Sequence, residues 1–176
     1  MKNLVIALWL LAPSILTGQE KNGTFKSAPH EFALSYPVHW QSLPKLGGRM
    51  AVHVGGSIGK QSASMSVIVS EDESFRIMTI VDYLKTVKAK DFLDVASISM
   101  TDVKMHRWEP KYELGGQPAL MFVYSGILDG ARQCTLTIQT IKNGRLYTLG
   151  FNAPSDDFPV MYLELKKIAD SFAFQK

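Results

Sequence analysis

Two dipeptides in the second half of the chain, Asp129-Gly130 and Asn143-Gly144, constrain its fold more than any other feature. They separate residues 118–128, 133–141 and 145–151, three segments rich in alternating apolar and polar residues that are typical of β-strands. Asn, Asp and Gly tolerate the positive φ angles that a two-residue hairpin turn requires. The sequence therefore predicts three strands joined as an antiparallel meander.

Shorter alternating segments precede this meander. Residues 32–36, 50–54 and 62–69 each predict a strand, and Gly55, Gly56 and Gly59 predict a hairpin between the last two. Residues 95–112 alternate less regularly and predict one or two strands broken near Glu109-Pro110. The sheet is expected to contain about six or seven antiparallel strands.

Two segments have the apolar spacing of a helix. Ile80, Tyr83, Leu84 and Val87 predict a helix over residues 80–92, with Thr79 and Asp82 forming its N-terminal cap. A second apolar stripe predicts a closing helix that begins within residues 155–158, because Pro159 is tolerated only in a first turn. The stripe consists of Phe158, Met161, Leu165, Ile168, Ala169 and Phe172. An antiparallel sheet covered by amphipathic helices is an α+β sandwich.

The first 18 residues resemble a secretory signal segment. Lys2 precedes an apolar run over residues 4–12, which is too short to cross a bilayer, and Pro13 ends it. We expect cleavage near Gly18, a flexible leader over residues 19–31 and a single domain over residues 32–176. Gln19 stands where a lipoprotein has cysteine, so the mature protein is expected to be periplasmic or extracellular without a lipid anchor. A buried N-terminal strand and an uncleaved anchor are the alternatives.

Composition and motifs exclude several classes of function. The net charge of +3 comes from basic and acidic residues that are interspersed, which argues against nucleic-acid binding. Neither a nucleophile elbow nor a phosphate-binding glycine loop is present in the required setting. The four histidines lack metal-ligand spacing, and the parity of Cys134 with Leu136 and Ile138 predicts a buried, inert thiol. We therefore expect no catalytic residue, no cofactor and no metal site.

Three segments together are similar to one known group of proteins. FALSYPVHWQSL, LGGQPALMFVYSG and YTLGFNAPSDDFPVMYLELKKIADSFAF resemble the first strand, the middle step and the closing strand and helix of the Mog1/PsbP-like superfamily, which includes exported PsbP-related and DcrB-like proteins. The resemblance spans residues 32–174. It implies an α/β/α sandwich used for binding, accessory or assembly roles, without a shared catalytic centre. Tyr36, Pro37 and Trp40 match the motif at structural positions.

Five residues near loops and strand ends are candidates for a partner-binding surface, because Trp and Arg are common at binding hot spots. They are His39, Trp40, His106, Arg107 and Trp108. In the alternative interpretation the two tryptophans close the ends of the sandwich. The sequence thus predicts a non-catalytic exported binding or accessory module with a protein partner and an association with the cell envelope. A carrier of a small apolar ligand or lipid, and an enzyme such as a hydrolase with an unrecognised site, remain alternatives.

Overall fold

The computed structural model describes residues 22–58, 61–156 and 158–175. Those residues form a seven-stranded sheet, a three-stranded sheet and four helices. The strands are β1 (Asn22–Ser27), β2 (Phe32–Pro37), β3 (Gln41–Ser42), β4 (Met50–Ile58), β5 (Gln61–Glu71), β6 (Thr101–Leu114), β7 (Gln117–Leu128), β8 (Ala131–Lys142), β9 (Arg145–Pro154) and β10 (Ala173–Phe174). The helices are α1 (Glu73–Ile77), α2 (Ile80–Thr86), α3 (Ala89–Ala96) and α4 (Phe158–Asp170).

The predicted meander is formed by β7, β8 and β9. At its turns the φ angles are 49° for Asp129, 79° for Gly130, 50° for Asn143 and 74° for Gly144. Positive φ at both central residues matches the right-handed twist of the two flanking strands. The turns thus fix the register in which β7 pairs with β8 and β8 with β9.

The large sheet has the strand order β3-β4-β5-β9-β8-β7-β6, with antiparallel neighbours throughout. Pairing of β5 with β9 joins the hairpin of the first half to the meander of the second. The small sheet has the order β1-β2-β10. The expected α+β sandwich is confirmed.

One face of the large sheet, here called the inner face, is buried beneath α4 and the small sheet. Its side chains, including Met65, Leu136 and Leu149, share one hydrophobic cluster with β2 and α4. All six residues of the apolar stripe predicted for the closing helix are at most 8% exposed. The stripe and the helix start are therefore confirmed, while Phe172 lies just beyond the last helical residue.

The opposite, outer face is covered in part by α1, α2 and α3, which contact β9, β7 and β6 respectively. The prediction of one helix over residues 80–92 is wrong. The backbone is extended at Val87 and Lys88, and the Lys88 N–H donates to the Asp91 carboxylate to start a second helix. The Thr79–Asp82 cap is confirmed by a 3.2 Å hydrogen bond from the Asp82 N–H to Thr79 Oγ1. Among the helices described, none is both long and apolar enough to span a membrane.

Several further predictions need correction. The segment expected to be a flexible leader contains β1, whose backbone pairs with β2 while Phe25 packs against Phe32 at 5.8 Å. Backbone pairing in a hairpin with β2 thus overrides the polar composition of that segment. The expected signal segment, residues 1–18, and residues 19–21 lie outside the described residues.

The expected break near Glu109-Pro110 is also wrong, because β6 runs from Thr101 to Leu114. Pro110 is accommodated because β6 is an edge strand and its pairing with β7 shifts register between Glu109 and Tyr112. The expected strand residues 95–96 belong instead to α3.

The glycines predicted as part of a hairpin turn, Gly55 and Gly56, instead lie within β4. They allow Leu43 and Trp40 to pack directly on the strand. A Cβ at position 56 would lie 2.6 Å from Cδ1 and 3.1 Å from Cα of Trp40. Because the second contact is with backbone, rotation of the indole alone cannot relieve the clash.

We expect Gly56→Ala to lower the free energy of unfolding by about 1–3 kcal/mol through overpacking against Trp40. Chemical denaturation followed by tryptophan fluorescence measures the change. Gly48→Ala is the matched control, since no atom lies within 4 Å of its Cβ position, and its effect should stay within about 0.5 kcal/mol. Equal stability of the two variants would contradict the assignment of Gly56 to this close contact.

Candidate functional site

The five residues predicted to form a binding surface do not lie together. His39 and Trp40 directly precede β3, next to β4, whereas the other three belong to β6 at the opposite edge of the sheet. Trp40 is 4% exposed and belongs to the core, and His39 Nε2 makes a 2.7 Å hydrogen bond with the Ser57 carbonyl. Trp40 therefore has a structural position, and the candidate site is the β6 edge.

A β-bulge arranges the three predicted residues of β6. Met105 pairs with Tyr124 and Arg107 with Val123, so His106 is an extra residue in β6. His106 Nε2 is hydrogen-bonded to Ser125 Oγ at 2.7 Å. The side chains of His106 and Arg107 thus both lie on the inner face, while that of Trp108 lies on the outer face.

A groove lies between this part of β6 and the start of α4, with a volume of about 490 Å³. We call it the β6 groove. The sheet contributes His106, Arg107, Val123 and Cys134. The segment leading into α4 and the helix itself contribute Ser155, Phe158, Pro159 and Tyr162. Its lining is therefore mostly apolar, with a guanidinium and an imidazole on the β6 side.

Arg107 connects the two walls of the groove. Its Nη1 donates to the Tyr162 hydroxyl at 3.1 Å, and its Nη2 donates to Glu109 Oε2 at 2.5 Å. The side chains of Arg107 and Glu109 are 50% and 34% exposed. An ion pair in such contact with water adds little to stability, so separating its partners costs little free energy.

Cys134 contributes a buried thiol to the groove. The residue is 4% exposed, and burial raises the pKa of the thiol to about 11. The prediction of a buried cysteine is confirmed. Since the thiolate is the reactive form, this group is unsuited to nucleophilic attack at neutral pH.

On the outer face, Trp108 belongs to an aromatic cluster formed with Phe92, Phe122 and Tyr124. The Trp108 ring centroid lies 5.6 Å from that of Phe92 and 5.8 Å from that of Phe122. Phe122 is buried, and the other three are partly exposed. Trp108 thus packs α3 onto β6, with only part of its ring reaching solvent.

The remaining two histidines do not line the groove. His53 Nδ1 makes a 2.7 Å hydrogen bond with the Pro44 carbonyl, and the His30 carbonyl accepts a hydrogen bond from the Tyr147 hydroxyl. Within residues 22–58, 61–156 and 158–175, no three His, Cys, Asp or Glu side chains are grouped so as to hold a metal ion.

Sequence reasoning missed the helix side of the groove, because nothing local indicates that Ser155, Pro159 and Tyr162 face β6. The bulge did leave a signal. The apolar residues Met105 and Trp108 are three positions apart, and a regular strand would place them on opposite faces. An extra residue between them restores both to one face.

Taken together, these elements define an antiparallel α+β sandwich with an apolar, arginine-rimmed groove at one sheet edge. No protein-family model matches the sequence, and no curated protein sequence matches it significantly. Solved structures do match. The cyanobacterial PsbP protein CyanoP of Synechocystis sp. PCC 6803 has a TM-score of 0.66 at 19% identity, over 93% of this chain and 98% of CyanoP.

Two other solved structures share the architecture. The Ran-binding protein Mog1p of Saccharomyces cerevisiae has a TM-score of 0.60 at 9% identity, covering 88% of this chain and 96% of Mog1p. LpqN of Mycobacterium tuberculosis, involved in cell envelope biogenesis, has a TM-score of 0.54 at 14% identity, covering 90% of this chain and 88% of LpqN. The chain has the Mog1/PsbP-like fold, as the sequence resemblance implied.

We expect Cys134 to react with iodoacetamide at pH 8 at least roughly 100-fold more slowly in the native protein than in denaturant, because burial suppresses the thiolate. Mass spectrometry of timed, quenched samples measures the rates. The denatured sample is the internal control for reagent activity. Comparable rates in the two states would contradict a buried thiol with a raised pKa.

Proposed function

We propose that the protein is an exported, non-catalytic binding module that engages a protein partner at the β6 groove. The observation that carries this proposal is the combination at one sheet edge of an apolar concavity with a partly exposed arginine. Arginine and aromatic residues are enriched at protein interfaces, where they supply contact area and directed hydrogen bonds. Of the groove residues, Tyr162 and Arg107 offer both.

The chemistry of the groove supports binding rather than catalysis. The pKa of Cys134 is raised to about 11, His106 Nε2 is occupied by Ser125, and the nearby Glu109 carboxylate is paired with Arg107. An acid–base mechanism needs a base within reach of a substrate proton and free to accept it. The roles of two proteins with this fold, Ran binding for Mog1p and cell envelope biogenesis for LpqN, are in keeping with a binding or accessory role.

A carrier of a small apolar ligand is the second candidate function. A groove of about 490 Å³ is within the roughly 300–1,000 Å³ range of small-molecule sites. Such a ligand would be bound to the protein after gentle purification. Solvent extraction and mass spectrometry of that preparation would detect it.

We expect partner capture to depend on the groove. Affinity-tagged protein purified from its native envelope fraction should retain a stoichiometric protein partner. Ser155→Trp, which places a large side chain at the groove, should abolish retention, and Tyr162→Ala should reduce it about 10-fold, since one central aromatic residue contributes a large share of interface energy.

Leu163→Ala is the matched control on the same helix, because Leu163 is 65% exposed and does not line the groove. Thermal unfolding of all three variants checks that they are folded. Partner retention by folded Ser155→Trp would refute the assignment of the groove. If the purified protein retains a lipid and no protein partner, and Ser155→Trp loses that lipid, the carrier function would be favoured.

Export is proposed on the signal-like residues 1–18, and association with the envelope would follow from it. We expect fractionation of producing cells to place the protein outside the cytoplasm, with Gln19 as the first residue of the mature 158-residue chain (176 − 18). Leu8→Arg interrupts the apolar run and should leave the uncleaved 176-residue chain in the cytoplasm. Unchanged export of that variant, or an uncleaved exported chain, would contradict this reading of the N-terminus.

A further inference from the structure

We propose that the β6 groove recognises a segment of a partner protein in which an apolar side chain is adjacent to a carboxylate. The apolar side chain fills the groove, and Arg107 exchanges Glu109 for the carboxylate of the partner. This inference rests on the proposed function and specifies the chemistry of the partner.

The apolar side chain of the proposed partner segment is inferred from the residues that line the groove. Val123 and Cys134 are 6% and 4% exposed and belong to the tightly packed inner face, so the groove ends at the sheet. On the helix side, Phe158 is 8% exposed, and the next residue of the buried stripe, Met161, is fully buried. These residues close the interior to a long acyl chain and leave room for one or two apolar side chains at the surface.

The carboxylate follows from Arg107. A guanidinium presents parallel N–H donors that match the two oxygens of a carboxylate. Here Nη2 already binds a carboxylate, that of Glu109, in a partly exposed pair. Glu109 therefore occupies the position that an incoming carboxylate would take. Asp102, another acidic side chain of β6, is paired with Arg132 and does not compete for Arg107.

The edge strand favours side-chain recognition over the addition of a partner strand. Pairing of β6 with β7 shifts register at three places, and Pro110 lacks an N–H. An added strand needs a regular row of free backbone groups, which this edge does not present. The partner is thus held by its side chains in the groove.

The test begins with a phage library of random heptapeptides selected on the mature protein and counter-selected on Ser155→Trp. We expect the enriched peptides to place Asp or Glu within two residues of Phe, Leu, Ile or Met. A synthetic copy of the best peptide in which Gln or Asn replaces the acid should bind about 10-fold more weakly or worse, as expected for loss of a charge-assisted hydrogen bond.

Two variants of the protein have opposite expected effects. Arg107→Gln should bind the acidic peptide about 10-fold more weakly or worse than the unsubstituted protein does. This variant should have the same affinity for the acidic and the amide peptide. Glu109→Gln removes the internal competitor for Arg107. It should increase the affinity for the acidic peptide about threefold and change the affinity for the amide peptide little. If the Arg107–Glu109 pair had a purely structural role, both variants would bind both peptides more weakly.

The outcomes separate this inference from the proposed function. Enriched peptides without acids, or an affinity of Arg107→Gln for the acidic peptide equal to that of the unsubstituted protein, would overturn the inference. Loss of the enriched peptides in Ser155→Trp would still support the groove as a binding site. Failure to enrich any peptide over Ser155→Trp would count against both. Dodecanoate is the probe for a small amphiphile, and its Arg107-dependent binding without peptide enrichment would overturn the inference in favour of the carrier.

Discussion

The aromatic packing around Phe32 holds the two sheets and the last helix in one arrangement. Phe32 stacks on Phe172 at 5.2 Å and meets Tyr147 edge-on at 6.3 Å. Phe32 belongs to β2, Tyr147 to β9, and Phe172 follows the last residue of α4, so one cluster joins the small sheet, the large sheet and the chain that leaves the helix. The Ser171 side chain adds hydrogen bonds to the Ser35 backbone N–H and carbonyl at 2.8 Å and 3.0 Å. The C-terminal end of α4 is thereby fixed, and its rigid length of 13 residues sets where its first turn meets β6.

The sequence patterns that succeeded are those in which local chemistry decides the structure. Asn143-Gly144 forms the expected turn because both residues adopt positive φ there, and the stripe from Phe158 to Phe172 is buried because its spacing matches a helix. The patterns that failed depend on how a strand pairs and where it lies in its sheet. Asn22–Ser27 is ordered by pairing with β2, and Pro110 is tolerated because β6 pairs on one side, among the described strands, with β7 alone. Neither circumstance can be read from the residues themselves.

The candidate site shows the same division. The sequence singled out His106, Arg107 and Trp108 by residue type, which indicated the correct strand but not the correct faces. The opposite wall of the groove, from Ser155 to Tyr162, is 48 or more residues away in sequence from Arg107 and is brought there by α4. His39 and Trp40 were grouped with β6 by chemistry alone, and the strand order separates them. Residue type thus identifies candidates, whereas the topology decides which of them share a surface.

Trp108 acts on the groove from the other side of the sheet. Its ring packs with Phe92 and Phe122 on the outer face, which anchors β6 one residue beyond the bulge. The bulge has its own anchor on the inner face, the hydrogen bond between His106 and Ser125. With both flanks of Arg107 held, its guanidinium can change partners without movement of the strand. For the proposed partner, a preorganised strand of this kind would reduce the ordering cost of binding, because only the side chains of Arg107 and Glu109 would have to rearrange. The proposed site therefore combines a strand held on both faces with one partly exposed ion pair.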